Sequence, residues 1–520
     1  MPILPIGLIV MSGTSAQCSD DEIAQLLTEE TWELVPCPPD RKPIKSKWVY
    51  RIKKDSAGNV IKYKGRLCAC GYSQIHGLDY HDVYSPVIRA EAVKLLFAIA
   101  AYQDMEVHQM DVVGAFPNGD QEEDIYMQQP PGYVHPDFPD WVCHLHRNLY
   151  GLKQAPRVWH KVIKAFLLAQ GFKACPVDPC LFMKNTSGKP MFIGLYVDDL
   201  LICSNVPSDI ATMKKSFHDQ FKMTDEGEVT HFLQIEVSRN RSTRTISLSQ
   251  RQYVEDLLDK YAEHVPFAAG IPMKVGLKLP AEGPATGSSE HQAMASIPYR
   301  QVVGQLVYLS RTTRLDISQA VGVVCRYLHN PGQEHWKAVQ KILAYLKKNP
   351  NIPLTLGENP PADSVLEIGL TAYCDANWEP ERSTSGFLVL YGSSPVAWSS
   401  KRQSVVASSV VYSEIISLYH TSAEIVWMRH VLDFLGQVQP STPSILYTDS
   451  EGALAHTQDH KVTPRNKHWA PKYHYVRELK ENGIITYKHI PGSQNPADFL
   501  TKSVSKTKLI SSTPNSLQSC

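Results

Sequence analysis

The chain has 520 residues, of which 43% are hydrophobic and 20% are charged, and its formal net charge is zero. This length exceeds what a single hydrophobic core organises, so we expect two or more domains. Without a net charge, the protein as a whole is not drawn to nucleic acid or to a charged surface, so any such attraction must be local.

The first 30 residues differ from the rest of the chain and predict an irregular leader. Their apolar start contains two prolines and lacks the basic region of a signal peptide. No apolar run in the sequence reaches the ~20 residues that span a bilayer. The eleven scattered cysteines indicate free thiols in a reducing compartment rather than a disulfide framework.

From residue 31 to about 237, strand-like and helix-like patterns alternate, which indicates an α+β arrangement. A β-hairpin is predicted around a turn at 55–59, and its strands interleave Trp48, Tyr50 and Tyr63 with many cations. A solvated charged face explains such a run, and so does a surface that contacts a phosphate backbone or a triphosphate. The cations are Arg41, Lys42, Lys45, Lys47, Arg51, Lys53, Lys54, Lys62, Lys64 and Arg66.

Two adjacent aspartates, Asp198 and Asp199, lie between the apolar runs Met191–Leu195 and Leu200–Cys203. Adjacent carboxylates in such a setting repel each other and lose hydration, so they need a compensating partner. An acidic turn without function is the alternative for the pair alone. A third carboxylate, Asp111, ends another apolar stretch. Three carboxylates from two strands suit two magnesium ions about 4 Å apart, the arrangement that drives phosphoryl transfer in polymerases.

The second half predicts further helices and a second group of acids. Helices are predicted at 91–102, at 253–261 and over most of 298–348, after a linker rich in Gly, Pro and Ser at 281–289. The last segment then alternates strands and helices. Its four notable acids are each explained singly as a helix cap or a surface acid, but together they form a candidate metal site. They are Asp375, Glu414, Asp449 and Asp498.

Seven motifs that occur in order carry a family resemblance. They are Trp32–Pro36, Lys64–Leu67, Tyr84–Val87, Gln109–Val112, Ala115–Gly119, Leu149–Arg157 and Tyr196–Asp199. Together they resemble the reverse transcriptase of copia-type LTR retrotransposons, from about residue 31 to near the end of the chain. The resemblance implies an α+β multidomain fold, in which a right-hand polymerase of fingers, palm and thumb precedes an α/β RNase H-like domain.

The resemblance also implies roles for individual residues. In the polymerase, Asp111, Asp198 and Asp199 would hold two Mg²⁺ ions. The nucleotide would contact Lys64, Arg66, Gln154 and Phe116, the last as a bulky gate against a ribose 2′-hydroxyl; a core aromatic is the alternative for Phe116. In the RNase H-like domain, Asp375, Glu414, Asp449 and Asp498 would hold two further Mg²⁺ ions. A basic stretch from His460 to Arg477 is explained equally by a solvated helix face and by contact with a hybrid backbone.

The implied domain organisation follows the same order. We predict an irregular leader at 1–30, then fingers, palm and the start of the thumb at 31–275. A linker and helical connection follow at 276–366, an RNase H-like domain at 367–505 and a tail at 506–520. The implied partners are an RNA template, a DNA primer, dNTPs and RNA–DNA hybrid, and the implied setting is a cytoplasmic virus-like particle with access to the nucleus.

Several positions depart from the family pattern. Gln234 follows Phe232 and Leu233 where glycine is expected, and a side chain there could block close backbone approach. Pro117 follows Phe116 and removes an amide donor beside the expected nucleotide pocket. Two hypotheses therefore remain: an RNA-directed DNA polymerase with RNase H activity, or a catalytically silent retrotransposon relic that at most binds nucleic acid through its basic hairpin.

Overall fold

The computed structural model describes residues 14–54, 60–186, 188–265, 267–358, 368–437, 442–457 and 470–513. Its strands are β1 (Trp32–Val35), β2 (Ser46–Lys54), β3 (Val60–Ala69), β4 (Glu106–Val112), β5 (Tyr126–Gln128), β6 (Val142–Leu145), β7 (Lys173–Ala174), β8 (Leu181–Thr186), β9 (Lys189–Tyr196), β10 (Asp199–Ser204), β11 (Met223–Glu228), β12 (His231–Phe232), β13 (Ile235–Asn240), β14 (Thr245–Ser249), β15 (Leu354–Gly357), β16 (Leu370–Asn377), β17 (Thr384–Tyr391), β18 (Ser394–Arg402), β19 (Ser444–Thr448) and β20 (Ile485–His489).

Its α-helices are α1 (Thr14–Thr28), α2 (Ala90–Tyr102), α3 (Ala155–Ala169), α4 (Pro207–Gln220), α5 (Arg251–Lys260), α6 (Ser289–Met294), α7 (Tyr299–Thr312), α8 (Ser318–Val324), α9 (Gln333–Lys348), α10 (Val410–Phe434), α11 (Glu451–His456), α12 (Ala470–Glu481) and α13 (Lys506–Ser512). The helices predicted at 91–102 and 253–261 are confirmed as α2 and α5, and the region 298–348 is mostly helical as expected. None of the helices in the described ranges is long and apolar enough to cross a membrane.

A six-stranded antiparallel sheet of order β11-β4-β10-β9-β8-β7, which we call the palm sheet, carries the first acidic motif. Strands β9 and β10 pair as the predicted hairpin, with Asp199 opposite Tyr196. On its other edge β10 pairs with β4, and this register sets Asp199 opposite Asp111. Because facing residues of paired strands lie side by side, pairing alone brings together carboxylates that are far apart in sequence.

Two smaller sheets lie in the segment predicted to form the fingers, and we call them the fingers: the three-stranded sheet β1-β6-β5 and the two-stranded β2-β3 ladder. This ladder is the predicted basic hairpin, whose turn at 55–59 lies outside the described residues. The leader predicted to be irregular instead contains helix α1, which packs against β3. Its residues Ile23 and Leu26 are buried at helical spacing, and this short apolar stripe explains the difference from the prediction.

The second half of the chain adds one strand to a sheet of the first half and then forms a separate sheet. Strand β15, from the predicted connection, pairs with β14 in the sheet β12-β13-β14-β15. The last sheet has the order β18-β17-β16-β19-β20, with β16–β18 antiparallel and β19 and β20 parallel to β16. Helix α10 packs on this sheet. The α+β multidomain fold is therefore confirmed. The predicted tail begins with helix α13, whose buried Leu509 anchors it.

The last sheet packs directly against the palm through helix α2. Arg89, just before α2, donates to both carboxylate oxygens of Glu424 at 3.0 and 3.1 Å, and its guanidinium lies 3.8 Å from the Trp427 ring centroid. At the far end of α2, the hydroxyl of Tyr102 accepts from the Ser393 amide at 3.0 Å. Buried Lys94 lies between these two contacts. Charged and apolar contacts therefore hold the two halves together along one helix.

The turn between β12 and β13 has unusual backbone geometry. Leu233 and Gln234 have φ values of +51° and +61°, a region in which residues other than glycine are strained. The Leu233 carbonyl accepts a hydrogen bond from the Tyr308 hydroxyl of α7. Gln234 lies where the family pattern has glycine. The residue that departs from this pattern therefore has a backbone conformation that favours glycine.

We expect Gln234→Gly to raise the free energy of unfolding by about 1 kcal/mol, because it removes the cost of a left-handed conformation. Urea denaturation measures the change. Gln252→Gly, at an exposed position in the first turn of α5, is the matched control, and it should not raise stability because the backbone there is already helical. Loss of stability in both variants would contradict the strain at position 234.

Candidate active sites

The first candidate site lies at the tip of the β9-β10 hairpin. One carboxylate oxygen from each of Asp111, Asp198 and Asp199 lies within 4.8 Å of the others. The turn between the strands contains Val197, a β-branched residue with φ of +56°. Such strain persists only where the surrounding structure enforces it, and it is concentrated at functional sites.

The electrostatics of this cluster favour a bound cation. Burial, followed by the charges of Asp198 and Asp111, raises the pKa of Asp199 to about 6, against a hydrogen bond from Gln109 Nε2 at 3.2 Å. A carboxyl group with a raised pKa is one whose ionised form is poorly stabilised by the protein. Divalent cations would supply the missing stabilisation, so the three residues fit a pair of metal ions.

A tryptophan holds the strained turn in place. The indole Nε1 of Trp159, in α3, donates to the Val197 carbonyl at 2.6 Å, and the Trp159 side chain is 1% exposed. Sequence reasoning missed this residue. Its only signal is its position shortly after the motif Leu149–Arg157, which gives no indication of which backbone group the indole reaches. We assign it a positioning role.

A cavity of about 280 Å³ lies beside this cluster. Lys64 and Arg66 of β3 line it together with Tyr150 and Pro117. The Arg66 guanidinium lies 4.5 Å from the Tyr150 ring centroid, and among the described residues its Nε atom has no hydrogen-bond partner. Tyr150 also feels the charges of Asp198 and Asp111, so the cavity adjoins the acidic cluster. A guanidinium with an unused Nε–H in such a cavity is suited to a phosphate group.

Pro117 lines this cavity, whereas Phe116 is not among the lining residues and packs against the core and Tyr150. Phe116 begins a 3-10 turn and its ring centroid lies 4.7 Å from that of Tyr150. Pro117 occupies the first turn of this short helix, where a missing amide hydrogen costs no intrahelical bond. The proline that departs from the family pattern is therefore accommodated by the local backbone.

The structure places Gln154 away from this cavity. The side chain is fully buried, and its Nε2 atom donates to the Asp79 carbonyl and to Glu123, both at 3.1 Å. Its Oε1 atom accepts from Gln74 Nε2 at 3.1 Å. Its side-chain amide therefore connects buried loops in the structure, and contact of Gln154 with a nucleotide stays a prediction.

The second candidate site lies on the last sheet. One carboxylate oxygen from each of Asp375 on β16, Glu414 on α10 and Asp449 after β19 lies within 4.8 Å of the others. Burial and the neighbouring charges raise the pKa of Glu414 to about 9, and burial, the largest influence, raises that of Asp375 to about 6. Among the described residues, the buried Oε2 atom of Glu414 has no hydrogen-bond partner. These unsatisfied acids also fit divalent cations.

The fourth predicted acid, Asp498, lies beside this group but is not one of the three. It forms an ion pair with Lys502, one helical turn later, and its charge helps to raise the Asp375 pKa. Thr501 donates a hydrogen bond to Asp375. Sequence reasoning missed Thr501 and Lys502, although their spacing of three and four residues from Asp498 would have indicated a shared helical face.

The predicted basic stretch near this site is described only in part. His460, Lys461, Arg465, Lys467 and His468 lie outside the described residues. On helix α12, Arg477 contacts Glu481 at 3.4 Å and His474 at 2.9 Å. Contact of this stretch with nucleic acid stays a prediction.

The comparisons with known proteins decide the family. Residues 29–274 match the model of the family "Reverse transcriptase (RNA-dependent DNA polymerase)". The chain is 31% identical, over 61% of its own length, to the full length of a transposon Ty5-1 protein of Saccharomyces cerevisiae. The chain belongs to this reverse transcriptase family. Members of this family generally use divalent metals, and the two acidic clusters belong to such a chain.

Longer relatives extend the similarity beyond the family match. The chain is 35% identical, over 94% of its length, to the Retrovirus-related Pol polyprotein from transposon TNT 1-94 of Nicotiana tabacum, of which it covers 36%. It therefore spans about a third of the length of that Pol polyprotein. Among solved structures, the foamy viral protease-reverse transcriptase in complex with RNA/DNA hybrid matches 95% of this chain and 56% of that chain, with a TM-score of 0.48 and 12% identity.

We expect Trp159→Phe to lower the rate of primer extension by about 10-fold or more, because a misplaced catalytic turn is costly. The turnover rate should fall while the affinity for primed template changes little, and the melting temperature should fall by a few degrees because a buried side chain becomes smaller. Trp336→Phe, at an equally buried site in α9, is the control. Equal effects of both substitutions on turnover would contradict the positioning role.

We expect Glu414→Gln to stabilise the metal-free protein increasingly as the pH rises. The folded-state pKa of about 9 lies above the unfolded value, so the stability that protonated Glu414 contributes is complete below its unfolded pKa of 4.5 and is lost as the pH rises through 9. At about pH 8 the variant should melt about 3 °C or more above the wild type in EDTA.

Added Mg²⁺ should stabilise the wild type more than the Glu414→Gln variant, since the variant keeps the Asp111–Asp198–Asp199 cluster but loses a ligand charge at the second site. Calorimetric melting with and without metal measures both effects. Glu478→Gln, at an exposed position of α12, is the matched control and should change neither. If the wild type and the variant had the same melting temperature across this pH range, the raised pKa of buried Glu414 would be contradicted.

Proposed function

We propose that this reverse transcriptase chain is an RNA-directed DNA polymerase with RNase H activity, and that each site uses two Mg²⁺ ions. The observation that supports this most strongly is the presence of two separate carboxylate clusters, Asp111–Asp198–Asp199 and Asp375–Glu414–Asp449, in one chain. Both clusters lie at strand ends, and both contain acids whose pKa is raised by burial. A nucleotidyltransferase and a nuclease need this same arrangement for phosphoryl transfer.

In the proposed polymerase reaction, Asp111, Asp198 and Asp199 hold the metal pair. Magnesium bound there would activate the primer 3′-hydroxyl and offset the charge that develops on the leaving pyrophosphate. Lys64 and Arg66 bind the triphosphate of the dNTP, and Arg66 is held against Tyr150. Phe116, packed on Tyr150, forms the wall that a ribose 2′-hydroxyl would meet.

In the proposed nuclease reaction, Asp375, Glu414 and Asp449 hold the second metal pair, and Asp498 completes the acidic rim. Thr501 orients the Asp375 carboxylate by a hydrogen bond, and Lys502 holds Asp498 by an ion pair. The substrate is the RNA strand of the RNA–DNA hybrid that the polymerase site produces. The partners are then a primed RNA template, dNTPs and the hybrid, and a cytoplasmic virus-like particle is the proposed setting.

The second candidate function is nucleic-acid binding without catalysis. One observation favours it: the cavity that contains Lys64 and Arg66 is also lined by Asp21 and Glu22 of helix α1. These acids offer the cations an alternative partner to a triphosphate. A protein that binds primed template but incorporates no nucleotide would support this candidate.

Single substitutions in each cluster separate the two activities. Asp198→Asn should abolish primer extension and leave cleavage of RNA–DNA hybrid largely intact, whereas Asp449→Asn should do the reverse, because each removes a metal ligand from one site only. Gel assays of extension and of hybrid cleavage measure both. Each variant serves as the folding control of the other. Loss of both activities in either variant, with cooperative melting retained, would contradict two separate sites.

A further inference from the structure

A third group of possible metal ligands lies on the fingers, apart from both acidic clusters. Glu33 on β1, His144 on β6 and His146 just after β6 each offer one atom, and these atoms lie within 4.8 Å of one another. The Oε1 atom of Glu33 is 3.4 Å from His144 Nδ1 and 3.6 Å from His146 Nε2. This group contains two imidazoles, which neither acidic cluster has.

The backbone fixes the positions of all three residues. Strands β1 and β6 are antiparallel, and their register sets Glu33 directly opposite His144. His146 is two residues further along, so its side chain leaves the strand on the same face as His144. The His146 amide continues the pairing by donating to the Thr31 carbonyl at 2.9 Å. Glu33 and His144 therefore start from paired strands, and His146 from the bend that follows, whose amide Thr31 holds.

Two further residues orient the His144 ring. The Nε2 atom of His144 is 3.5 Å from an Asp124 carboxylate oxygen, and the ring stacks on Tyr126 with centroids 4.9 Å apart and an interplanar angle of 15°. A carboxylate that holds one ring nitrogen protonated leaves the lone pair of the other available. Histidines that bind metals usually have such a partner. In the tautomer that is protonated at Nε2, beside Asp124, the available nitrogen is Nδ1, which faces Glu33.

We propose that Glu33, His144 and His146 bind one Zn²⁺ ion, with a fourth position open to water. Ligand atoms of a tetrahedral zinc site lie about 3.3 Å apart, given metal–ligand distances of about 2.0–2.1 Å. The separations of 3.4 and 3.6 Å between Glu33 and the two imidazoles are close to this value. Two imidazoles and one carboxylate suit zinc, whereas magnesium prefers oxygen ligands.

Binding would connect β1 to β6 across the fingers sheet. Glu33 and His144 belong to different strands, so the ion would close a long loop of the chain and stabilise the folded fingers by mass action. The alternative is that the same residues form an ordinary ion pair of exposed histidines with a glutamate. That alternative predicts that no metal binds at this position, and zinc titration distinguishes it from the proposal. The inference does not depend on either proposed activity.

Isothermal titration of the full chain with ZnCl₂, in a large excess of Mg²⁺, tests the proposal. The magnesium occupies the acidic clusters, so the heat reports sites with nitrogen or sulfur ligands, and the histidine variants identify the site in question. We expect His144→Ala and His146→Ala to abolish one zinc equivalent. Asp124→Asn should weaken zinc binding at this site by about 10- to 100-fold, because Asp124 contacts the second ring nitrogen of the ligand His144. His218→Ala, an exposed histidine of α4, is the matched control and should bind as the wild type does.

Cobalt(II) provides an independent readout. We expect the wild type to show the visible absorption of four-coordinate Co²⁺, and His144→Gln, which keeps a side chain of similar polarity, to lose it while melting cooperatively. Unchanged zinc stoichiometry and an unchanged cobalt spectrum in the folded His144→Gln and His146→Ala variants would overturn the proposal. Loss of the spectrum in the histidine variants but not in His218→Ala would support it, whether or not primer extension is detected.

Discussion

The burial of neighbouring carboxylates, which lose hydration first of all and also repel one another, is the constraint on which this structure depends. At both acidic clusters, strand pairing and helix packing bring carboxylates together although each loses hydration and meets another negative charge. The cost appears in Glu414, whose pKa rises to about 9, and in Asp199, whose pKa rises to about 6. A fold that keeps such groups close is stable only if other contacts compensate or if cations neutralise them. The rest of the architecture can be understood as the scaffold that enforces this proximity.

Part of that scaffold lies between the two sites. Helix α2 is buried along nearly its whole length, with the palm sheet on one side and β18 of the last sheet near the other. Arg89 and Tyr102 connect its two ends to α10 and to the turn before β18. The Trp398 indole donates to the Ser310 carbonyl at 2.6 Å and so adds α7 to the same interface. The two clusters are thus fixed relative to each other by packed elements and not by a linker alone.

The sequence predicted those features that depend on local pattern or on ordered motifs. Apolar runs and motif spacing predicted the hairpin at 196–199 and helices α2 and α5. They also predicted the seven acids of the two candidate sites. Features that depend on tertiary contact were missed. Helix α1 has too short an apolar stripe to stand out from an irregular leader. Gln154 is conspicuous in its motif, yet its burial depends on Gln74 and Glu123, which only the fold brings near. The contact between Trp159 and Val197 is non-local in the same way.

One reaction tests the central claim that a single chain carries both chemistries. A primed RNA template, with different labels on the primer and on the RNA 5′ end, is incubated with the purified protein, Mg²⁺ and dNTPs, and both strands are resolved over time. The account predicts that the primer lengthens and that the RNA shortens within the copied region, and that EDTA stops both. A protein that melts cooperatively and binds the template but changes neither strand would contradict it.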